Sequence, residues 1–233
     1  WTCPKWMKVK SLTDLTPLDS WTNGQLNPAY YQDYATYFVK WVQAFNAEGI
    51  DIYAVTPQNE PLNRGNSASL YMSWEEQRDF VKTALGPKFK TAGLATKIYA
   101  YDHNYDYSDI ATEKNYPGKM YEDAAASQYL AGAAYHNYGG NREELLNIHK
   151  AYPEKELLFT ETSIGTWNSG RDLSKRLLED MKEVALGTIN NWCRGVIVWN
   201  LMLDNDRAPN REGGCQTCYG AVDISNSCLL YTS

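Results

Sequence analysis

No apolar stretch in this 233-residue chain approaches the roughly 20 residues that a membrane-spanning helix needs, so no membrane span is expected. Basic residues are in deficit as well: 22 Lys and Arg face 28 Asp and Glu, a formal charge of −6. That balance argues against nucleic acid or an anionic membrane as a partner and is silent on neutral ligands such as sugars. No glycine-rich phosphate loop follows any apolar run, which weakens a nucleotide-binding reading. Histidine is scarce, at three, and His136 lacks partner ligands at metal-site spacing, so neither metal nor cofactor is expected. Cysteine is odd in number, at five, and only Cys215 and Cys218 form a motif, in "GGCQTCYG". The pair is too isolated for a structural zinc site and sits among loop-forming glycines, not at a helix start. A local disulfide or two quiet thiols is the favoured reading.

What is present is an alternation of strand and helix signals, in a chain whose 43% hydrophobic content suffices for a packed core. Apolar residues from Asn27 to Gly49 recur at helical spacing, through Tyr34, Phe38, Trp41, Val42 and Phe45. A second helix opens at Ser73, whose partner Glu76 makes a capping box. A third lies in "NREELLNIHKAY", and a fourth runs from about Ser174 to Trp192 with Leu177, Leu178, Met181, Val184, Ala185 and Ile189 turned inward. Strands are read at Ile50–Val55, Lys97–Tyr101, Gly132–Tyr138, Glu156–Glu161 and Gly195–Leu203. Near-continuous apolar strands separated by helices indicate a buried parallel sheet, either open and doubly wound or closed as a (β/α)8 barrel. Polar residues gather just past the strand ends: Asn59 and Glu60, Asp102, His136 and Tyr138, Glu161, Asn200. Barrel enzymes carry their sites on that face, which favours the TIM barrel.

Two of those residues form a pair. Glu60, in "TPQNEP", and Glu161, in "FTETS", each end a strand, and barrel strand ends converge however far apart they lie in sequence. Paired carboxyls suit glycoside hydrolysis by double displacement, one attacking the anomeric carbon and the other serving as acid and then base. Burial and the partner's charge are expected to raise the pKa of the acid. Asn59 offers an amide for a sugar 2-hydroxyl, and Pro61 holds Glu60 extended. Without such a partner a lone Glu would more often cap a helix or lie on a solvated loop.

At these residues the chain resembles glycoside hydrolase family 30, the glucosylceramidase family. The likeness runs through "WTCPKWMK", "YAVTPQNEP", "EEQRDFVKTALGP", "YDHN", "YHNYGG", "LLFTETSIG" and "VIVWNLMLDNDRAPN". It implies a (β/α)8 barrel with a side β-structure and retaining action on β-glucosides, β-1,6-glucans or β-xylosidic bonds. By the same resemblance Glu60 is the acid/base and Glu161 the nucleophile. Trp1, Asn59, Asp102, His136, Tyr138, Trp199 and Asn200 surround the glucose subsite. Read without the family, Trp1 and Trp199 could be barrel core, His136 a structural histidine, and Tyr138 either a partner of Glu161 or a packing residue.

If Gly195–Leu203 is the eighth strand, Ile50–Val55 is the fourth, and strands one to three are expected to precede Trp1. The chain is therefore expected to be a truncated barrel lacking also the C-terminal β-domain, with open edges on its fourth and eighth strands that invite aggregation. The barrel domain is assigned to residues 1–224; the tail 225–233 lies outside the resemblance and is taken as artefactual. The expected activity is a glucosylceramidase-like β-glucosidase, its partner a β-linked glucoside or glucan. The alternatives are an endo-β-1,6-glucanase, or a carbohydrate-binding barrel without catalysis, which an altered carboxylate at one of the two sites would betray. Extracellular, periplasmic or lysosomal localisation is expected of a glycan-degrading enzyme.

Overall fold

The computed structural model describes residues 2–65, 68–167, 170, 172–210, 214–225 and 228–232. It opens with a small antiparallel sheet of β1 (Lys8–Ser11), β2 (Asp14–Pro17) and β3 (Gln25–Leu26), ordered β2-β1-β3. The Asn27 side chain accepts from Ala29 N–H and starts the turn that leads into α1 (Tyr31–Ala47). There follow β4 (Ala54–Val55), α2 (Trp74–Phe80), α3 (Gly86–Thr91), β5 (Lys97–Asn104), α4 (Tyr116–Glu122), α5 (Ala124–Ser127) and β6 (Leu130–His136). Then come α6 (Glu143–Ala151), β7 (Glu156–Glu161), α7 (Leu173–Glu179), α8 (Leu186–Ile189) and β8 (Cys193–Val196). The last elements are β9 (Met202–Asp204), β10 (Val222–Ser225) and β11 (Cys228–Thr232).

Strands β4 to β8 form one parallel sheet in sequence order, the βα succession of a TIM barrel present as a curled half. In-order neighbours follow from right-handed βαβ crossovers, each helix returning the chain to the edge it just left. The capping box forms as the sequence predicts: Ser73 and Glu76 satisfy each other's backbone N–H groups and begin α2. Inner strands are buried almost throughout, and Tyr101 packs its ring 4.9 Å from Tyr116, 5.1 Å from Tyr107 and 5.4 Å from Tyr135. Much of the aromatic excess is thus core. Gly132 has a particular reason to be glycine: an added Cβ would lie 1.8 Å from the Glu156 carbonyl oxygen across the β6–β7 ladder.

The structure corrects three readings. Only Ala54–Val55 of Ile50–Val55 pairs as strand, because this edge has one neighbour and its earlier residues are tied to the sheet singly, as by Lys97 N–H to Tyr53 oxygen. The run Gly195–Leu203 is split: it continues past β8 beside β7, with Trp199 N–H donating to Thr162 oxygen at 2.8 Å, and then β9 joins a second sheet ordered β11-β10-β9. Uniform apolarity hides a change of partner. The helix after Asp172 holds the expected span, yet of the residues expected inward only Val184 is fully buried, while Leu177 is 64% and Leu178 73% exposed. Its apolar stripe is real, but most of it is left exposed. The tail 228–232 pairs antiparallel with β10 as β11. No helix among the described residues is long and apolar enough to cross a membrane.

Candidate active site

The C-terminal ends of β4 to β8 open on a cavity of about 1220 Å³, lined by Glu60, Tyr138, Glu161, Trp199 and Asn200 among others. Glu60 follows β4 on a short turn, with its N–H bonded to the Asp102 carbonyl at 2.9 Å. Glu60 is not extended, against the expectation from Pro61 after it: its φ of 45° and that of Asp102, 78°, lie in the left-handed region that β-carbon residues avoid, because the bonds of the turn set its backbone. Such conformations persist only where surrounding bonds hold them, and they cluster where geometry matters.

Beneath the cavity floor, His136 at the end of β6 is 1% exposed. Its Nε2 lies 3.0 Å from Asp102 Oδ1, and its Nδ1 lies 3.3 Å from Glu60 Oε1. Thr56 and Thr160 hydroxyls donate to Asp102 at 2.7 and 2.6 Å, and the Asn63 amide donates to Glu60 Oε2 at 2.9 Å. Across the cavity Tyr138 donates to Glu161 Oε1 at 3.1 Å, and its Oη also lies 3.1 Å from Ser163 Oγ. Contact atoms of Glu60, His136 and Glu161 all lie within 4.8 Å of one another.

Burial works against charge on His136, but the Asp102 carboxylate, bonded to it, and the nearby glutamates overcome this and hold its pKa up to about 10. His103, also buried, is pushed down to about 4 and is neutral near pH 7. Burial alone would raise Glu60; the bond and charge of His136, the neighbouring His103 and the Asn63 amide outweigh it and keep its carboxyl below the ordinary range. Glu161 is raised, first by burial and, against the pull of His136, by the charge of Glu60. The expected elevation at Glu60 is thus reversed in the free protein, because a cationic imidazole lies against that carboxyl. The three contact atoms are close enough to gather round a cation. A doubly protonated imidazole facing a carboxylate at each nitrogen, however, has no lone pair for one.

Of the residues expected around the site, Tyr138, Trp199 and Asn200 line the cavity; Asp102 and His136 lie behind Glu60, and Asn59 is not part of the lining. Trp1 lies outside the described residues. Trp21, Asn63, Ser163 and Arg207 also line it and were not singled out in the sequence. Asn63 follows Glu60 by three residues and Arg207 sits in "DNDRAPN", so both stood inside recognisable segments. Trp21 comes from a polar loop, where an isolated large aromatic was the available signal. Cys215 and Cys218 form a disulfide at the cavity rim, and the loop they close is tied to the segment after Glu161 by Tyr219 N–H to Ile164 oxygen.

The model of the glycosyl hydrolase family 30 TIM-barrel domain matches residues 1–218. The endo-1,6-beta-D-glucanase BGN16.3 of Trichoderma harzianum is 35% identical over 241 residues, covering 97% of this chain and 44% of its own length. Mouse (Mus musculus) lysosomal acid glucosylceramidase is 24% identical, over 90% of this chain and 41% of its own. The solved structure of the endo-beta1,6-glucanase BT3312 superposes with a TM-score of 0.98 at 87% identity, over all of this chain and 52% of that one. The chain therefore spans about half the length of the relatives it matches. By fold, by sequence and by the arrangement of its strand ends, the chain belongs to glycosyl hydrolase family 30 and holds part of its TIM-barrel domain.

Proposed function

We propose that the protein carrying this chain is a retaining endo-β-1,6-glucanase, with Glu161 as nucleophile and Glu60 as acid and base. The observation that carries this reading is the approach of the two carboxyls, whose facing atoms lie within 4.8 Å. That spacing suits double displacement, where carboxyls sit about 5–5.5 Å apart, and leaves no room for the water of an inverting site, which needs about 6.5–9.5 Å. Glu161 attacks the anomeric carbon while Glu60 protonates the departing oxygen; water, activated by Glu60, then releases the sugar. Tyr138 steadies the attacking carboxylate by its 3.1 Å bond.

A β-1,6-glucan is favoured over a glucosylceramide, which the sequence had put first. The 35% and 87% identical relatives carry endo-1,6-glucanase names, against 24% for the mouse glucosylceramidase. Retention of both carboxyls counts against a barrel that only binds carbohydrate. The disulfide and a polymeric substrate suit action outside the cytoplasm.

The test uses full-length protein with an activated 2-deoxy-2-fluoroglucoside, followed by a comparison of pustulan with glucosylceramide. Covalent label on Glu161 and depolymerisation of pustulan are expected. Label elsewhere would reject the assignment of the nucleophile, and preferential cleavage of glucosylceramide would reject the substrate.

A further inference from the structure

The mechanism above uses Glu60 and Glu161 and leaves the buried imidazole between them without a task. We propose that His136, clamped by Asp102, is the proton store of the site, supplying Glu60 with the proton it delivers and taking it back when Glu60 acts as base. This rests on the reading of Glu60 as the acid and base.

The geometry admits little else. Both ring nitrogens of His136 are spent on carboxylates, at 3.0 Å to Asp102 and 3.3 Å to Glu60, and the ring is 1% exposed, so it does not present a nitrogen to a sugar. Asp102 is itself fixed by two threonine hydroxyls, and its backbone carbonyl accepts the Glu60 N–H, which ties acid and clamp into one unit. Around the ring stand Glu60 from the turn after β4, Asp102 and the neutral His103 from β5, Tyr138 beyond β6, and Glu161 from β7. His136 is the cation among these groups. A carboxyl so close to an imidazolium is a poor place to keep a resting proton, and the adjacent ring nitrogen is a good one.

The protons balance without a co-reactant. As the glycosidic bond breaks and the Glu161 oxygen bonds the anomeric carbon, the proton on His136 Nδ1 passes to the Glu60 carboxylate, which hands it on to the leaving oxygen and is left ionised. Conversion of Glu161 to a neutral ester removes one negative charge from the cluster as His136 becomes neutral. Water then attacks the anomeric carbon, the ester bond breaks, and the proton of water returns through Glu60 to His136. The net reaction is hydrolysis alone.

The proposal separates from a structural or sugar-binding role by its dependence on the leaving group. Full-length protein is assayed on pustulan, whose leaving oxygen needs protonation, and on 2,4-dinitrophenyl β-gentiobioside, whose phenolate does not. General acid assistance is worth roughly 10²–10⁴-fold. His136→Gln is expected to lose about 100-fold on pustulan and under about tenfold in formation of the glycosyl-enzyme from the dinitrophenyl substrate, on that scale. Asp102→Asn, which keeps the shape of the clamp and removes its charge, is expected to show the same split. In both, the basic limb of the pustulan pH profile should shift to lower pH. Glu60→Gln serves as reference, and fluoro-sugar labelling of Glu161 reports an intact site. Equal losses on both substrates with an unmoved pH limb, alongside the split in Glu60→Gln, would overturn the proton store alone. Absence of the split in Glu60→Gln itself would overturn the assignment of Glu60 and the store with it.

Discussion

Tyr138 Oη donates to Glu161 Oε1 across 3.1 Å, linking the segment after β6 to the end of β7. The phenol's proton is secured by burial and by the charge of Glu161, so it donates throughout the working pH range. Because the bond favours the ionised carboxylate, Tyr138→Phe should raise the Glu161 pKa further and move the acidic limb of kcat/KM to higher pH. A hydrogen bond to a charged group is worth about 1.5–3 kcal/mol. A loss of roughly tenfold or more in kcat/KM on pustulan is expected, since each 1.4 kcal/mol is a factor of ten. An unmoved acidic limb would reduce Tyr138 to a packing residue.

The His136–Asp102 pair has a consequence for stability. The folded pKa of His136, about 10, lies above its ordinary 6.5, so folding favours the protonated ring. Its contribution is complete below about pH 6.5, declines as pH rises and is gone above about 10. Asp102 works the other way: its lowered pKa stabilises above the ordinary carboxylate range, and that gain is lost on acidification. Urea midpoints of the full-length protein should therefore fall between pH 6.5 and 10, and fall less in His136→Gln. Parallel profiles for the two proteins would refute the linkage.

Leu177 and Leu178 form an exposed apolar stripe, and β4 and β8 are the open edges of the parallel sheet. Such surfaces drive association. The isolated 233-residue chain should self-associate in sedimentation velocity and show no glycosidase activity, and Leu178→Glu should reduce that association. A soluble, active monomer of this chain alone would contradict both expectations.

Gly132→Ala places a methyl 1.8 Å from a backbone oxygen of β7, which a rotamer change cannot relieve. Overpacking against backbone should cost about 3 kcal/mol or more, lowering Tm and soluble yield. A Tm within two degrees or so of the parent would show that the β6–β7 ladder yields more than close packing allows.

The glutamates were legible because chemistry and position coincide in short segments: "QNEP" and "FTET" each place a carboxylate at a strand end. The Asn27 cap of the turn before α1 and the capping box of α2 were equally local, resting on bonds within three residues. His136 was visible only as a strand-end histidine. Its meaning depends on Asp102 and Glu60, 34 and 76 residues away, and on burial that no local pattern encodes. The inward face of the helix after Asp172 was misjudged for a related reason, since periodicity marks a stripe but not whether a neighbour covers it.

Sequence by itself determined the βα alternation, the carboxyl pair and the membership of a barrel family, because propensity, periodicity and strand-end chemistry are written within short windows. Tertiary structure decided which strand keeps which partner beyond β8, which residues face the cavity, and where the resting proton lies. Those outcomes depend on contacts between distant segments, where one imidazolium set between Asp102 and Glu60 helps outweigh the burial that pushes the Glu60 pKa up.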